Sequence, residues 1–471
     1  MSRRPASRRF AVSLALAATL LAACQGESPI GPAKPAVTRL PQVFARSDTR
    51  PDRYLVSFTG AEPSTFANRV SALGGVVERR HADFKIAVVR GVGSAGATAL
   101  AAAAGVELVA QDLSLQFIPA PDPNLISRKT LEASHARVPG TDQSGAFFFP
   151  FQWNMRQVQA DKAWSRTTGG RGALVCVLDT GIDPDHIDID GKIDPALMVS
   201  VISEPLFPGD LDPLDYNFHG TASAGYISTN GIGMASVAPD ARLCSAKVLN
   251  VLGSGSFADV IAGIDWASRN HADVINMSLG GTVDLTVPGA IDLVKLLQRA
   301  VLTAQRRGVV VVASAGNDAI DLDNDPPNEL VVPAQLLGVI SVGATAPFNQ
   351  ANFDGLASYS NFGGRTGVDL MAPGGDFISG NPLDFVLSAC SQYQLVLPFE
   401  CTAVDYVFAA GTSESAPHVS GAAAVLEAKF GRIGLPLIVE ACVLRGADPI
   451  GPRRTFGAGR LNVLDAAFCK R

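Results

Sequence analysis

Four residues scattered along this chain have side chains suited to acyl transfer: Asp179, His219, Asn317 and Ser413. A serine hydroxyl is a poor nucleophile until a base takes its proton and a third group holds that base in place. A tetrahedral intermediate then needs a donor for its oxyanion. Histidine, carboxylate and side-chain amide are the residue types for those tasks. Each residue also has a plain structural reading. Ser413 stands where a helix should begin, and serine is a favoured N-cap. Asp179 would serve as an acceptor for turn amides, His219 as a satisfied polar group and Asn317 as a loop residue.

The elements around these residues decide whether the chemistry is credible. From about residue 150 onward, short apolar runs such as "ALVCVLD", "RLCSAKVL", "DVINMSLG", "VVVVASAG" and "VISVGAT" alternate with helical stretches. "FADVIAGIDWASRNH" and "AIDLVKLLQRAVLTAQRRG" are the clearest of these helices. Near-continuous apolar strands separated by helices predict an α/β fold, a parallel sheet flanked by helices on both faces. Function in such sheets collects at the carboxyl ends of the strands. Asp179 ends the first strand before a Thr-Gly turn, His219 opens the small-residue helix "HGTASAG", and Asn317 follows the fourth strand. Ser413 opens the Ala-rich helix "GTSESAPHVSGAAA".

With these stretches in view, the chain from about residue 150 resembles the subtilisin-like serine proteases. The resemblance is carried by "VCVLDTGID", "FHGTASAG", "GMASVAPDARL", "KVLNVLGSGS", "DVINMSLGG", "VVASAGN", "YSNFG", "LMAPGG" and "GTSESAPHVSGAAA", in the chain order Asp…His…Ser. It implies a serine endopeptidase with Ser413 as nucleophile, His219 as base, Asp179 as its orienting acid and Asn317 as oxyanion donor. It also implies that polypeptide substrate pairs as a strand with Ser278, Leu279 and Gly280. Residues 313–316, ending at Gly316, would wall the pocket for the residue before the cut, with Val331 at its base. No carboxylate aligns there to attract Lys or Arg. Pro333 corresponds to a cis proline of the family.

Other function classes fit less well. A single "DTG" on an α/β pattern does not make an aspartic protease, which needs two such loops on an all-β fold. A nucleotide-binding fold needs a glycine-rich phosphate turn after its first strand, and "DTGIDPDH" is acidic instead. The reading that stays open is a catalytically weak or inactive peptide-binding protein of the same fold. It rests on a departure: the residue after the nucleophile, usually Met in the family, is Glu414. Ala222 and Ser223 also replace the family's usual His and Val after "HGT". No cofactor is required for the chemistry. A structural calcium stays open, with Asp188 and Asn230 aligned to family ligands and the N-terminal ligand missing.

The remaining chain predicts a precursor organisation. Residues 1–23 read as a signal peptide, with four arginines before an apolar run of fourteen residues at 10–23. That run ends "LAAC", which resembles a bacterial lipobox and makes Cys24 the expected lipidation site. Residues 24–52 read as a Pro-rich linker and 53–118 as a small α+β module similar to the family's inhibitory propeptide. Residues 119–150 read as a processing loop and 151–471 as the peptidase domain. An exported enzyme is thus expected, tied to a membrane only through Cys24. A net charge of −6 gives no reason to expect nucleic acid, and a monomer is expected. The six other cysteines permit three disulfides, with Cys390–Cys401 and Cys442–Cys469 the favoured pairs. Cys176 and Cys244, both in strand-like runs, are left open as buried thiols.

Overall fold

The computed structural model describes residues 49–120, 126–131, 140–324, 327–365, 367–431 and 436–469. The signal peptide, Cys24 and nearly all of the linker lie outside the described residues.

In the N-terminal module, strands β1 (Thr49–Phe58), β2 (Val76–His81), β3 (Ile86–Arg90) and β4 (Val106–Gln116) form an antiparallel sheet. Its helices are α1 (Phe66–Ala72) and α2 (Gly93–Ala101). Period-two alternation sends successive side chains to opposite faces. Val56, Ala87 and Val89 pack with Phe66 and Leu100 of the module's own helices. Leu55, Ile86 and Val88 point the other way, into a cluster shared with the main body. The sheet is therefore buried on both faces. β1 begins four residues before the boundary read from sequence, by backbone pairing of Thr49 with Leu113. Such pairing needs no apolar pattern, so the sequence carries no mark of it.

Beyond the module, β5 (Ser127–Thr130) precedes two short helices, α3 (Trp153–Gln157) and α4 (Ala160–Trp164). The main body then supplies β6 (Leu174–Asp179), β7 (Ile193–Ser200), β8 (Arg242–Lys247), β9 (Ser254–Ser256), β10 (Val274–Met277) and β11 (Gly281–Asp284). It continues with β12 (Val310–Ser314), β13 (Glu329–Val332), β14 (Val339–Phe348), β15 (Ala351–Leu356), β16 (Leu370–Pro373), β17 (Val386–Ala389) and β18 (Asp405–Ala409). Its central sheet runs β15-β14-β12-β10-β6-β8-β7, with β16 also on β14. All of its pairings are parallel except β14 with β15. This is the parallel, doubly covered α/β sheet expected from the apolar runs. Every residue of β10 and β12 is buried, as a strand packed on both faces requires.

Helices α5 (His219–Ile227), α6 (Phe257–Arg269), α7 (Ala290–Arg306) and α8 (Thr412–Phe430) complete the frame. In α7, Leu293, Leu296, Leu297, Ala300, Val301 and Ala304 are buried at helical spacing. The N-terminal module sits over α6 and α7, where Leu55, Phe84 and Val88 share one apolar cluster with Ile261, Ile264, Leu293 and Leu297. α8 is buried all round through Glu427, which its Ala, Ser and Gly residues permit by letting strands approach closely. At Gly421 a Cβ would come within 2.7 Å of the Val237 Cβ.

Two readings from sequence change here. The stretch 119–150 is not all loop: β5 pairs antiparallel with β18, and Ala146 and Phe148 enter the main core. The four side chains of β5 are exposed, so it shows no alternation from which a strand is legible. Cys176 and Cys244 are bonded to each other rather than free, because β6 and β8 place them directly opposite with Cα atoms 4.4 Å apart. Cys390–Cys401 and Cys442–Cys469 form the other two disulfides.

Candidate active site

Asp179 ends β6 with its carboxylate fully buried, and Thr180 donates its backbone N–H to that carboxylate at 2.7 Å. His219 lies opposite at the first position of α5, with Nδ1 2.9 and 3.0 Å from the two Asp179 oxygens. That contact fixes the Nδ1–H tautomer and leaves Nε2 as the free basic nitrogen. Burial alone disfavours the imidazolium, but the Asp179 charge and hydrogen bond outweigh it. With Glu414 and Asp215 adding to them, His219 is pushed up to about 9.

The His219 turn is held by a residue that sequence reading passed over. Asp215, fully buried, accepts from the backbone N–H groups of Asn217, Phe218 and Thr221 and from the hydroxyls of Thr180 and Thr221. It thereby caps α5 and offsets Phe218, whose φ of +98° is rare for a residue with a side chain. Gly220 is required by close approach, since a Cβ there would lie 2.0 Å from the Gly181 carbonyl oxygen. Ser223, one of the departures noted above, donates to Asp179 at 3.4 Å.

Ser413 lies in the first turn of α8 and donates its hydroxyl to the Ser278 carbonyl at 3.0 Å. Ser278 returns a hydrogen bond from its own hydroxyl to the Ser413 carbonyl at 2.8 Å. Asn276 donates to Ser278 and accepts from Ser420, so the end of β10 is tied to α8 in two places. Asn317 accepts at its side-chain oxygen from the Thr412 N–H at 2.9 Å and hydroxyl at 2.8 Å. Its amide nitrogen is left to donate, and Asn317 lines the same cavity as His219 and Ser413. Three of the four residues selected from sequence thus line one cavity of about 280 Å³, and Asp179 stands behind His219.

The chain has counterparts among known proteins. The family model described as "Subtilase family" matches residues 170–459. The chain belongs to that family. It is 33% identical over 324 residues to a "Thermophilic serine proteinase" of Bacillus sp. (strain AK1), covering 68% of each chain. Over 312 residues it is 32% identical to "Subtilisin DY" of Bacillus licheniformis, covering 66% of this chain and 96% of that protein. In fold it is similar to the epidermin leader peptide processing serine protease of Staphylococcus aureus, at a TM-score of 0.69 and 22% identity. That likeness covers 90% of this chain and 98% of that one, and at such identity it speaks for the fold alone. As a subtilase, the protein is a serine endopeptidase acting on polypeptides, and the family's chemistry needs no cofactor.

The remaining sequence candidates divide into two groups. Leu279 is fully buried, and Gly280 donates its N–H at 3.3 Å to the carbonyl of Phe117, just beyond β4. Gly316 has φ +99° and packs against Asn361, whose side-chain Oδ1 accepts from the Asp318 and Ile320 N–H groups and so shapes that loop. Val331 is buried beside Ala315, and the Val332–Pro333 bond is cis. Asp188 and Asn230 stand apart from this cleft. The Asp188 carboxylate accepts from the amides of Ile232, Gly233 and Met234 and from the Tyr406 hydroxyl. Asn230 donates its side-chain amide to the carbonyls of Ile187 and Asp190. In this arrangement the two residues close a loop. Among the described residues no group of three or more His, Cys, Asp or Glu is gathered as a metal site.

Proposed function

We propose that Ser413 is the nucleophile of this peptidase, His219 its general base and acid, Asp179 the group that orients His219, and Asn317 the oxyanion donor. The observation that carries this reading is the His219–Asp179 pair at 2.9 Å opening onto the cavity that holds Ser413 and Asn317. In the reaction the Ser413 hydroxyl leaves the Ser278 carbonyl and donates to His219 Nε2. Its oxygen then attacks the substrate carbonyl as the proton passes to Nε2. The oxyanion is met by the Asn317 amide and by the Ser413 N–H at the start of α8, where the helix dipole favours negative charge. Collapse expels the amine, which takes the proton from His219, and water repeats the sequence to release the acyl group.

Residues 53–118 act in this proposal as an inhibitory propeptide and folding aid. Residues 114–116 of β4 pair antiparallel with β9, and residues 117–120 continue past Gly280 into the cavity beside Ser413. A chain lying this way blocks substrate, and self-cleavage falls within the processing stretch 119–150. The precursor is exported, Cys24 is lipidated, and cleavage frees the mature enzyme from its anchor. No helix among the described residues is long and apolar enough to cross a membrane.

The alternative, a subtilase-fold protein that binds peptides without turning them over, draws on Glu414 beside the nucleophile. A serine-directed fluorophosphonate separates the two. Wild-type mature protein should be labelled at Ser413 and hydrolyse peptides, and Ser413→Ala should do neither. Unchanged hydrolysis by Ser413→Ala, in a preparation free of host protease, would sink the assignment.

A further inference from the structure

One acid in the cavity has no part in the reaction described above. Glu414 is 5% exposed, and its side chain lines the cavity beside Ser413 and His219. Its carboxyl group is held by its own backbone N–H, while its backbone carbonyl is engaged by His418 Nδ1 at 2.7 Å. A carboxylate at such burial is costly unless a charge pairs with it. Burial pushes Glu414 up to about 7, with His219 pulling against it. An incoming cation would favour its ionised form.

The other walls suit the same visitor. Phe218, Tyr359, Phe377 and Phe385 line the cavity, and Tyr359 stacks on Phe377 with ring centroids 5.8 Å apart. Aromatic faces attract cations and also cover the methylene stems of Lys and Arg. The cavity's place in the cleft follows from its lining. It shares His219, Asn317 and Ser413 with the catalytic centre but includes none of residues 278–281 or 313–316. The direction of the chain agrees: Phe117 sits on Gly280, and residues 118–120 lead onward into the cavity. Substrate lying in the same direction reaches this cavity with the residues that follow the cut.

We propose that this cavity is a substrate subsite for a lysine or arginine side chain on the leaving-group side of the scissile bond, selected by Glu414. The proposal rests on Ser413 being the nucleophile. Its test compares kcat/KM for peptides that differ only in the first residue after the cut: lysine, Nε-acetyl-lysine or leucine. Acetylation keeps the length and removes the charge, so the comparison works in the wild-type enzyme without any variant. Lysine should exceed both others by about ten- to a hundredfold, the range of one charge-assisted hydrogen bond. Glu414→Gln should bring the ratios near one while the leucine peptide is still cleaved. Equal ratios in the wild type overturn the subsite and leave the peptidase reading standing. A lysine preference unchanged in Glu414→Gln overturns the role of Glu414. If no peptide is cleaved and fluorophosphonate does not label the protein, the peptidase reading falls and the subsite falls with it.

Discussion

Asn317 can donate to an oxyanion because Thr412 holds its other end. Both hydrogen bonds from Thr412 fall on the side-chain oxygen, which fixes the amide orientation before substrate arrives. Asn317→Ala is expected to lower kcat by about 10²–10³, the figure established for the corresponding donor in subtilisin rather than one derived from this structure. Thr412→Val keeps the backbone N–H and removes one anchor, so steady-state kinetics should show a smaller loss. The proposed base gives a second prediction. His219 must be neutral to accept a proton, and its folded value is raised, so activity is lost as pH falls through that value. The acid limb of kcat/KM should therefore lie on the alkaline side of neutrality. Asp179, Glu414 and Asp215 are the acids that raise His219, while Tyr226 and Tyr359 lie within electrostatic reach of Glu414. Glu414→Gln removes one negative charge from that set, so the limb should move to lower pH. A limb that stays in place would show that Glu414 is not ionised when the enzyme is active.

At the scale of elements, a buried ion cluster joins β1 and β4 to the start of α6. Arg53 is fully buried and bridges Asp112 at 2.7 Å, Glu78 at 2.9 Å and Asp259 at 3.4 Å. Asp112 also accepts the Ala258 N–H in the first turn of α6, beside the N-cap Ser256. Removing one partner of a buried ion pair typically costs about 3–5 kcal/mol, because the other charge is left behind. Arg53→Ala in a Ser413→Ala precursor is expected to reduce stability by an amount of that order in urea denaturation. The same network with Arg53 replaced by Lys loses its bidentate geometry and should fall between. A change within a few tenths of a kcal/mol would mean that the ion cluster does not hold the module in place.

At the scale of the whole molecule, the proposed inhibitory module and the peptidase domain share one apolar cluster. If the module leaves, Leu55, Ile86 and Val88 lose the apolar cover they share with α6 and α7. Departure by dissociation alone opposes that burial, and cleavage with digestion of the module removes the opposition. Wild-type cells should therefore contain a soluble mature domain, and Ser413→Ala cells a full-length precursor in the membrane fraction. Fractionation followed by intact-mass measurement checks both points. Equal solubility of the two proteins would argue against lipidation at Cys24, and equal membrane association against release by cleavage.

Much of this was legible in the residues themselves. Apolar runs between helical stretches determined the parallel sheet, and residue type with position at strand ends and helix starts picked out Asp179, His219, Asn317 and Ser413 as candidates. Those features are local: hydrophobic periodicity and functional-group chemistry are properties of a short stretch. What tertiary structure alone decided depends on which distant groups meet. Asp215 ties the start of α5 to the Asp179 turn because Thr180, just past the end of β6, reaches it. Cys176 and Cys244 became a disulfide because two parallel strands put them in register. β5 formed because the backbone of β18 had an open edge, which needs no apolar signature. Glu414 reads in the sequence as an acid suited to a helix start. Folding buried it in a cavity of aromatic rings from three other parts of the chain. Burial and partnership are sums over long-range contacts, and the fold had to be in hand before they could be read.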